Sequence, residues 1–142
     1  MSISRLIDSR DGKIHTCTTR NTVREAIALL ATHRIGALPV MEGDLVVGVF
    51  SERDAIYRLN EAGAQTLDLP VAEVMTAPVV TVTPDTDILA ALSLMTRRRI
   101  RHLPVVEEGR MVGLVSIGDL VKYRIDRIEA EAESMRVYIQ TA

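Results

Sequence analysis

The sequence predicts a mixed α+β fold made of two β-α-β-β-α repeats that share one core, followed by a long C-terminal helix. The segment Gly48–Asp54 returns in altered form as Gly113–Asp119, and Ile35–Val40 returns as Ile100–Val105 at the same offset of 65 positions. A register kept without gaps over roughly forty residues indicates an internal duplication. The chain has 142 residues, 47% of them apolar, and is therefore about one domain long. Because half of such a chain would be only marginally stable as a separate domain, the repeats are expected to share their core.

Composition and charge argue against several classes of protein. The net charge of −2 gives no general attraction to nucleic acid or to an acidic membrane. The longest apolar run, Leu45 to Phe50, is far shorter than the roughly 20 residues that span a bilayer, and Met1 to Arg5 lacks the apolar core of a signal peptide. The single cysteine, Cys17, is expected to be a small buried hydrophobe rather than a redox or nucleophilic group. We therefore expect a cytoplasmic protein with no membrane partner.

The chain divides into four predicted parts, which are a first repeat at 13–60, a linker at 61–73, a second repeat at 74–126 and a C-terminal helix at 121–140. The turn pair Asp11-Gly12 precedes a short strand at Lys13–Thr18, where the residues alternate. Thr22 and Glu25 have the spacing of a capping box, which predicts the start of a helix. That helix is expected to end near His33–Gly36.

The rest of the first repeat contains two strands and a helix. Ala37–Val40 is predicted to be a short strand, and Pro39 cannot donate to a ladder. This strand is therefore expected at a sheet edge or bonded on one side only. Leu45–Phe50 is the next strand, and Ser51 begins a helix.

The second repeat is predicted to follow the same order. Val71–Thr76 is one helical turn, and Val79–Thr83 is a β-branched strand that Pro84 stops. Helix, strand, turn, strand and helix then continue to Asp119. The last helix runs much further than its counterpart in the first repeat.

The C-terminal helix carries an apolar seam with steps of four and three residues. Its members are Val121, Ile125, Ile128, Ala132, Met135 and Ile139. This is a heptad pattern. The seam either docks on the body of its own chain or meets the same helix of a second subunit, and its extension past the repeat favours the second subunit.

The duplicated motif has two possible roles. A helix start presents free backbone N–H groups and a partial positive charge that suit a phosphate, and Ser51 and Ser116 stand there. Asp54 and Asp119, one turn further, could accept hydrogen bonds from both hydroxyls of a ribose. Ser and Asp at these positions are also ordinary helix-starting residues that stabilise a helix without any ligand.

The tandem pattern resembles a pair of CBS domains, the module named after cystathionine β-synthase, over Lys13 to Asp126. The resemblance rests on the Leu-Pro-Val strands, on the two Gly-apolar-apolar-Ser-x-x-Asp segments, on Val74-Met75-Thr76 and on Thr81–Pro84. It implies a small sheet with two helices per repeat, a pseudo-twofold axis between the repeats, and association of two modules into a flat disc. It also implies binding of adenosine-containing ligands such as AMP, ADP, ATP, NAD(H) or S-adenosylmethionine in the clefts between repeats.

The resemblance also assigns roles to single residues. It places Asp54 and Asp119 on the ribose and Ser51 and Ser116 beside the phosphate. It places around the adenine residues of the strands near Thr18 and Thr83, together with Ala37, Leu38, Pro39, His102, Leu103 and Pro104.

The repeats differ where charge matters, since Arg53 corresponds to Gly118, and Arg101 and His102 correspond to Gly36 and Ala37. Arginine pairs well with phosphate. We therefore predict one preferred cleft, with Asp54 on ribose, Arg53 on phosphate, and Arg101 or His102 reaching the same phosphate. His102 is either phosphate-facing or a structural histidine.

The favoured function is a non-enzymatic, stand-alone sensor for an adenine nucleotide, with AMP as the favoured regulatory ligand and an unknown regulated protein as partner. It is expected to be a homodimer through the module faces and the C-terminal helix. The alternative is a ligand-free dimerising interaction module.

An enzyme is the third possibility, and it is disfavoured because no nucleophile stands with a base and no Gly-rich phosphate loop is present. The basic run Thr96–Arg101 is more typical of a solvated helix end beside a ligand phosphate than of a nucleic-acid site. His15 and His33 have no carboxylate or Cys partner at metal-ligand spacing, so we expect no metal.

Overall fold

The chain forms two similar repeats and a long C-terminal helix in the computed structural model, which describes residues 1–8 and 13–141. The helices are α1 (Ile3–Asp8), α2 (Val23–His33), α3 (Glu52–Ala62), α4 (Ile88–Arg98) and α5 (Ile117–Thr141). The strands are β1 (Cys17–Thr18), β2 (Ala37–Glu42), β3 (Leu45–Ser51), β4 (His102–Glu107) and β5 (Arg110–Ser116). Short 3-10 helices at Gly63–Asp68 and Val71–Glu73 connect the repeats. The mixed α+β class is confirmed, while the predicted turn at Asp11-Gly12 lies outside the described residues.

Each repeat is built on an antiparallel strand pair with a bulge at the same place. In the first repeat β1 lies parallel to β2, and β2 pairs antiparallel with β3 with a register shift between Val40 and Met41. In the second repeat β4 and β5 pair with the shift between Val105 and Val106. The sheets thus follow the offset of the sequence repeat.

The predicted strand at Val79–Thr83 is wrong. Only Val82 forms a bridge, in which its N–H donates to the Pro104 carbonyl at 3.1 Å and the Val106 N–H donates to the Val82 carbonyl at 2.8 Å. The corresponding strand of the first repeat, predicted at Lys13–Thr18, is also shorter than predicted and comprises only Cys17–Thr18. β-Branched residues favour a strand only where a neighbouring strand runs alongside them.

β2 is neither at an edge nor bonded on one side only, which were the two arrangements predicted from Pro39, because it pairs with β1 on one side and with β3 on the other. Pro39 is opposite Val49, and the N–H and C=O of Val49 bond to Thr76 at 3.1 and 2.9 Å. The β3 partner therefore needs no N–H from the proline, which is the donor that proline lacks.

The structure confirms the capping box predicted at the start of α2 and the predicted end of this helix near His33–Gly36. Thr22 accepts from the Glu25 N–H at 3.1 Å, and the Glu25 carboxylate accepts from the Thr22 N–H at 3.0 Å. These backbone and side-chain bonds to Thr22 lower the pKa of Glu25. The C-cap residues that follow α2 and α4 are Arg34 and Arg99, and both have a left-handed backbone, with φ of 53° and 55°.

The buried side chains form two clusters, one in each repeat, so the single shared core predicted from the sequence is wrong. Each cluster includes a residue that lies far away in the sequence. Ile3 and Leu6 of α1 pack into the second repeat, and Val71 packs into the first. Two small cores suffice because segments outside each repeat complete them.

Gly48 positions the segment that leads to the second repeat. A Cβ at Gly48 would lie 2.5 Å from the Met75 sulfur and 3.0 Å from the Thr76 carbonyl oxygen. At Gly113, the equivalent position, a Cβ would meet the Ile7 side chain at 3.0 Å. The absence of a side chain at Gly48 lets Thr76 lie directly against β3.

Only the first turns of α5 pack on the body of the chain. Leu120 is fully buried, whereas every residue from Ile125 to Thr141 is exposed. The prediction of a long C-terminal helix is confirmed, but docking of its seam on its own chain is wrong. Across residues 1–8 and 13–141, no helix has the length and apolarity that a membrane crossing requires.

Candidate functional site

Two clefts lie between the repeats and are related by the repeat offset. The Asp54 cleft, of about 290 Å³, combines the start of α3 with the chain before β4. The Asp119 cleft, of about 540 Å³, combines the start of α5 with the chain before β2. Each cleft therefore takes its Ser-x-x-Asp segment from one repeat and its opposite wall from the other.

The Asp54 carboxylate is held in place by its own helix start. One oxygen accepts from the Ser51 N–H at 2.9 Å and from the Ser51 hydroxyl at 3.1 Å, and the Asp54 N–H donates to that hydroxyl at 3.3 Å. The other oxygen accepts from the Thr76 hydroxyl at 2.9 Å. A carboxylate oxygen has two lone pairs, so the oxygen that bonds Thr76 can accept one more donor.

Asp119 repeats the same cap in the other cleft. Its carboxylate accepts from the Ser116 N–H at 2.9 Å, and its own N–H donates to the Ser116 hydroxyl at 3.1 Å. The helix-starting role that the sequence suggested is thus present in both repeats. It is compatible with ligand binding, because a fixed carboxylate is preorganised for a donor pair.

The clefts differ strongly in charge. Among its described residues the Asp54 cleft is lined by four arginines and two carboxylates, which are Arg53, Arg98, Arg99, Arg101, Glu52 and Asp54. The described lining of the Asp119 cleft has one lysine, Lys13, and one carboxylate, Asp119, besides two histidines. The Asp54 cleft is therefore the one whose electrostatics suit a phosphate.

His102 and Gly36 line both clefts and form the wall between them. A Cβ added at Gly36 would lie 3.6 Å from both the His102 ring and the Glu52 carboxylate. Burial lowers the pKa of His102, while the charges of Asp119 and Glu52 oppose that shift and the charge of Arg101 adds to it. The ring is therefore neutral near pH 7 in the ligand-free protein.

The structure brings together part of the predicted site. Ser51, Arg53, Asp54, Arg101 and His102 line the Asp54 cleft. Ala37, Ser116 and Asp119 line the other cleft, again with His102.

Six predicted site residues do not line either cleft. They are Thr18, Leu38, Pro39, Thr83, Leu103 and Pro104. Leu38 and Leu103 are fully buried in the two cores. The Thr18 hydroxyl instead bonds Asn21, and the Thr83 hydroxyl bonds Thr86. Contact of these six with adenine remains a prediction.

Sequence reasoning missed other residues that line the clefts. Val79 and Val80 line the Asp54 cleft, and Ile14 and His15 occupy the equivalent places in the other. Thr76, which bonds Asp54, belongs to the Val74-Met75-Thr76 motif but was not predicted to be a site residue. Extending the offset of 65 residues backward from Thr83 would have aligned both pairs of wall residues.

His15 and His33 stack on each other, and Cys17 is buried. The rings of His15 and His33 stack with centroids 3.5 Å apart. Burial raises the pKa of Cys17 to about 11, which keeps the thiol protonated and unreactive. In residues 1–8 and 13–141, no three His, Cys, Asp or Glu side chains are grouped as metal ligands would be.

Two small repeats of mixed helix and sheet that enclose a pair of clefts define a tandem-repeat module. The family model for the CBS domain matches residues 7–61 and 71–126. The chain therefore belongs to the CBS-domain family, whose paired domains are regulatory modules.

Known proteins agree with this assignment. The chain is 37% identical to the mitochondrial CBS domain-containing protein CBSX3 of Arabidopsis thaliana over 93% of this chain and 66% of that protein. A putative signal-transduction protein with CBS domains from Burkholderia ambifaria has a similar structure, with a TM-score of 0.83, 36% identity, and coverage of 89% and 95% of the two chains. The CBS pair of MJ0100, in complex with 5-methylthioadenosine and S-adenosyl-L-methionine, is 23% identical with a TM-score of 0.76, covers 89% of this chain and 98% of its own, and shows similarity of fold.

Proposed function

We propose that this chain is a non-enzymatic regulatory module that binds an adenosine-containing nucleotide in the Asp54 cleft and signals to a partner by changing conformation. One observation carries the proposal. The Asp54 cleft brings a capped Ser51–Asp54 segment from one repeat opposite an arginine-rich segment from the other. A site for a sugar hydroxyl pair thus lies beside a site for an anion.

The parts of the ligand have distinct places in this proposal. Asp54 accepts from the ribose hydroxyls, with Thr76 sharing or releasing its bond. Arg53 and Arg101 pair with phosphate through forked donors. Val79, Val80 and Ile100 cover the adenine by apolar contact.

AMP is the favoured ligand. A cleft of about 290 Å³ is at the small end of ligand sites and suits a mononucleotide better than NAD(H). The adenosine compounds bound by MJ0100 support the ligand class. Binding of AMP in competition with ATP would make the module a sensor of energy state.

The proposal includes a partner and a location. The module acts as a homodimer through its faces and α5, regulates a protein still to be identified, and works in the cytoplasm. Ligand binding shifts the equilibrium between two arrangements of the repeats. The size of this shift is limited by the difference in the ligand's binding free energy for the two arrangements.

A second candidate is a dimerising interaction module that binds no nucleotide. The exposed apolar stripe of α5 favours it, because such a stripe needs a protein partner whether or not the clefts are filled. The two candidates differ in a single measurement, which is nucleotide binding.

Isothermal titration with AMP, ADP, ATP, NADH and S-adenosylmethionine tests the proposal. Asp54→Ala is compared with Asp119→Ala, which removes the same capping carboxylate from the other cleft and so controls for loss of the cap. We expect Asp54→Ala to weaken AMP binding about 100-fold, because hydrogen bonds to a charged group contribute about 1.5–3 kcal/mol each. Asp119→Ala should change it by less than about threefold.

Thermal unfolding of both variants verifies that they fold equally well. Equal loss of binding in the two variants would contradict preference for the Asp54 cleft. Absence of binding for every ligand would favour the interaction module.

A further inference from the structure

The exposed part of α5 extends well away from the body of the chain. Residues 125–141 are all exposed, which corresponds to about 25 Å of helix at 1.5 Å per residue. A single helix of this length is marginal in water without packing. Its first turns are anchored, because Leu120 is buried and Tyr123 packs on the second core.

The apolar side chains of this helix are on one stripe. Ile125 and Ile128 are 49% and 48% exposed, and Met135 and Ile139 are 62% and 68% exposed. With Val121 and Ala132 they repeat every four and three residues, which is the spacing of a two-stranded coiled coil. The described body of the chain leaves this stripe uncovered.

The stripe fixes the heptad positions of its charged neighbours. Ile125, Ala132 and Ile139 occupy position a, and Val121, Ile128 and Met135 occupy position d. Position e then holds Lys122, Glu129 and Arg136, and position g holds Arg124, Glu131 and Tyr138. These two positions flank the seam and select the orientation of a partner helix.

A second copy in parallel and in register brings opposite charges together. Position g of one helix faces position e of the next heptad in its partner. Arg124 then faces Glu129 of the second copy, and Glu131 faces Arg136 of the second copy. By symmetry each pair forms twice.

An antiparallel arrangement with full overlap brings like charges together instead. Positions of the same letter then face each other, so Glu129 meets Glu129, Glu131 meets Glu131, and Lys122 meets Arg136. Sliding one helix by a heptad removes these repulsions, but it uncovers part of the apolar stripe at one end. Complementarity of charge and of apolar area are thus both satisfied only by the parallel arrangement.

Ion pairs within α5 do not compete strongly with this arrangement. Arg127 lies 4.0 Å from Glu131, and Arg136 lies 3.3 Å from Glu133, with all four side chains largely in solvent. Exposed pairs of this kind contribute little and rearrange readily.

We propose that residues 121–139 of α5 form a parallel, in-register coiled coil with the same helix of a second copy, specified by the Arg124–Glu129 and Glu131–Arg136 pairs. This deepens the homodimer of the proposed function and is independent of nucleotide binding. The two modules then emerge from the same end of the coil.

Charge exchange tests the pairing by sedimentation of the full chain without nucleotide. Glu129→Arg places Arg124 opposite an arginine and should raise the dimer dissociation constant about tenfold. Arg124→Glu combined with Glu129→Arg restores opposite charges and should return the constant to within about threefold of the parent. A double variant no tighter than the single one overturns the proposal.

Disulfide trapping tests the orientation. Ile139→Cys at position a should cross-link under mild oxidation, because the two thiols face each other only in a parallel, in-register coil. Val137→Cys, which is 50% exposed on the outer face, is the control and should not cross-link. The parent chain, with its buried Cys17, should give no cross-link either.

A monomer at every concentration would overturn the proposal and indicate a different protein as the occupant of the stripe. A dimer that does not cross-link at position 139 would also overturn it. If the coil is confirmed while the nucleotide titrations fail, only the ligand part of the proposed function is lost.

Discussion

The Asp54 and Asp119 clefts have the same backbone plan and the same capping carboxylate, yet they differ in charge. The caps match within a few tenths of an ångström, since the Ser N–H to Asp oxygen distance is 2.9 Å in both. The described lining of the Asp54 cleft has four arginines, whereas that of the Asp119 cleft has one lysine. The Ser and Asp shared by the two motifs therefore account for the helix start, and in the proposed function the arginines around them, including Arg53 inside the first motif, set the ligand preference.

Exchanging Arg53 of the first motif and its counterpart Gly118 of the second should reverse this preference. Arg53→Ala removes one forked donor and should weaken AMP binding in the Asp54 cleft about tenfold. Gly118→Arg adds that donor to the other cleft, where a Cβ meets nothing closer than the Ser116 hydroxyl at 3.7 Å. In the double variant, titration should show the affinity ratio of the two clefts changed about 100-fold.

The control for this exchange is Gly118→Ala, which adds a side chain without charge. If Gly118→Ala strengthens binding as much as Gly118→Arg, the difference between the clefts is not electrostatic.

Replacing the equivalent glycines of β3 and β5 by alanine compares how closely neighbouring segments pack on the two strands. Gly48→Ala should destabilise the protein by about 1–3 kcal/mol, because its Cβ meets the Met75 sulfur at 2.5 Å and the Thr76 backbone oxygen at 3.0 Å. Gly113→Ala should cost less than about 1 kcal/mol, because its nearest neighbours, from 3.0 Å, are side-chain atoms of Ile7 rather than backbone. Urea unfolding measures both, and equal losses would contradict the closer cover over Gly48.

Acidification should strengthen nucleotide binding through His102, with the smallest of these effects. Burial lowers the pKa of His102 in the free protein, where Asp119 of α5, Glu52 of α3 and Arg101 beside β4 face it. A bound phosphate raises the pKa of His102, so the complex holds more protons than the free protein. The affinity for the nucleotide therefore rises as the pH falls from the pKa of His102 in the complex to its pKa in the free protein. We expect about a threefold gain near pH 6 relative to pH 7.5.

Titrations of His102→Gln at both values of pH supply the control, since the phosphate of AMP also titrates in this range. A parent and variant that respond equally to pH would show that His102 does not contribute.

The helix starts and the strand pairs were predictable because local chemistry determines them. Thr22 with Glu25 and Ser51 with Asp54 form capping boxes, which need only their own backbone. Gly48 and Gly113 fall at the same place in their strands because the offset of 65 residues is kept.

The parts that could not be predicted depend on distant partners. Val79–Thr83 has strand propensity, but only Val82 finds a bridge. Pro39 is tolerated inside a sheet because the backbone of Val49, its opposite residue, forms hydrogen bonds to Thr76, which lies 27 positions away in the sequence. Thr18 and Thr83 do not line the clefts because the chain passes the clefts before those residues, and their contact with adenine stays a prediction.

The exchange of segments between the repeats means that the duplicated unit is not a unit of folding. Ile3 and Ser4 of α1 donate to the carbonyls of Thr86 and Pro84, both at 3.0 Å, and Val71 donates to Asn21 at 2.8 Å. A chain cut between α3 and α4 would leave one fragment with an unused α1 and the other with an incomplete core. The duplication is therefore interlocked, and the two halves are expected to unfold in a single cooperative transition rather than one after the other.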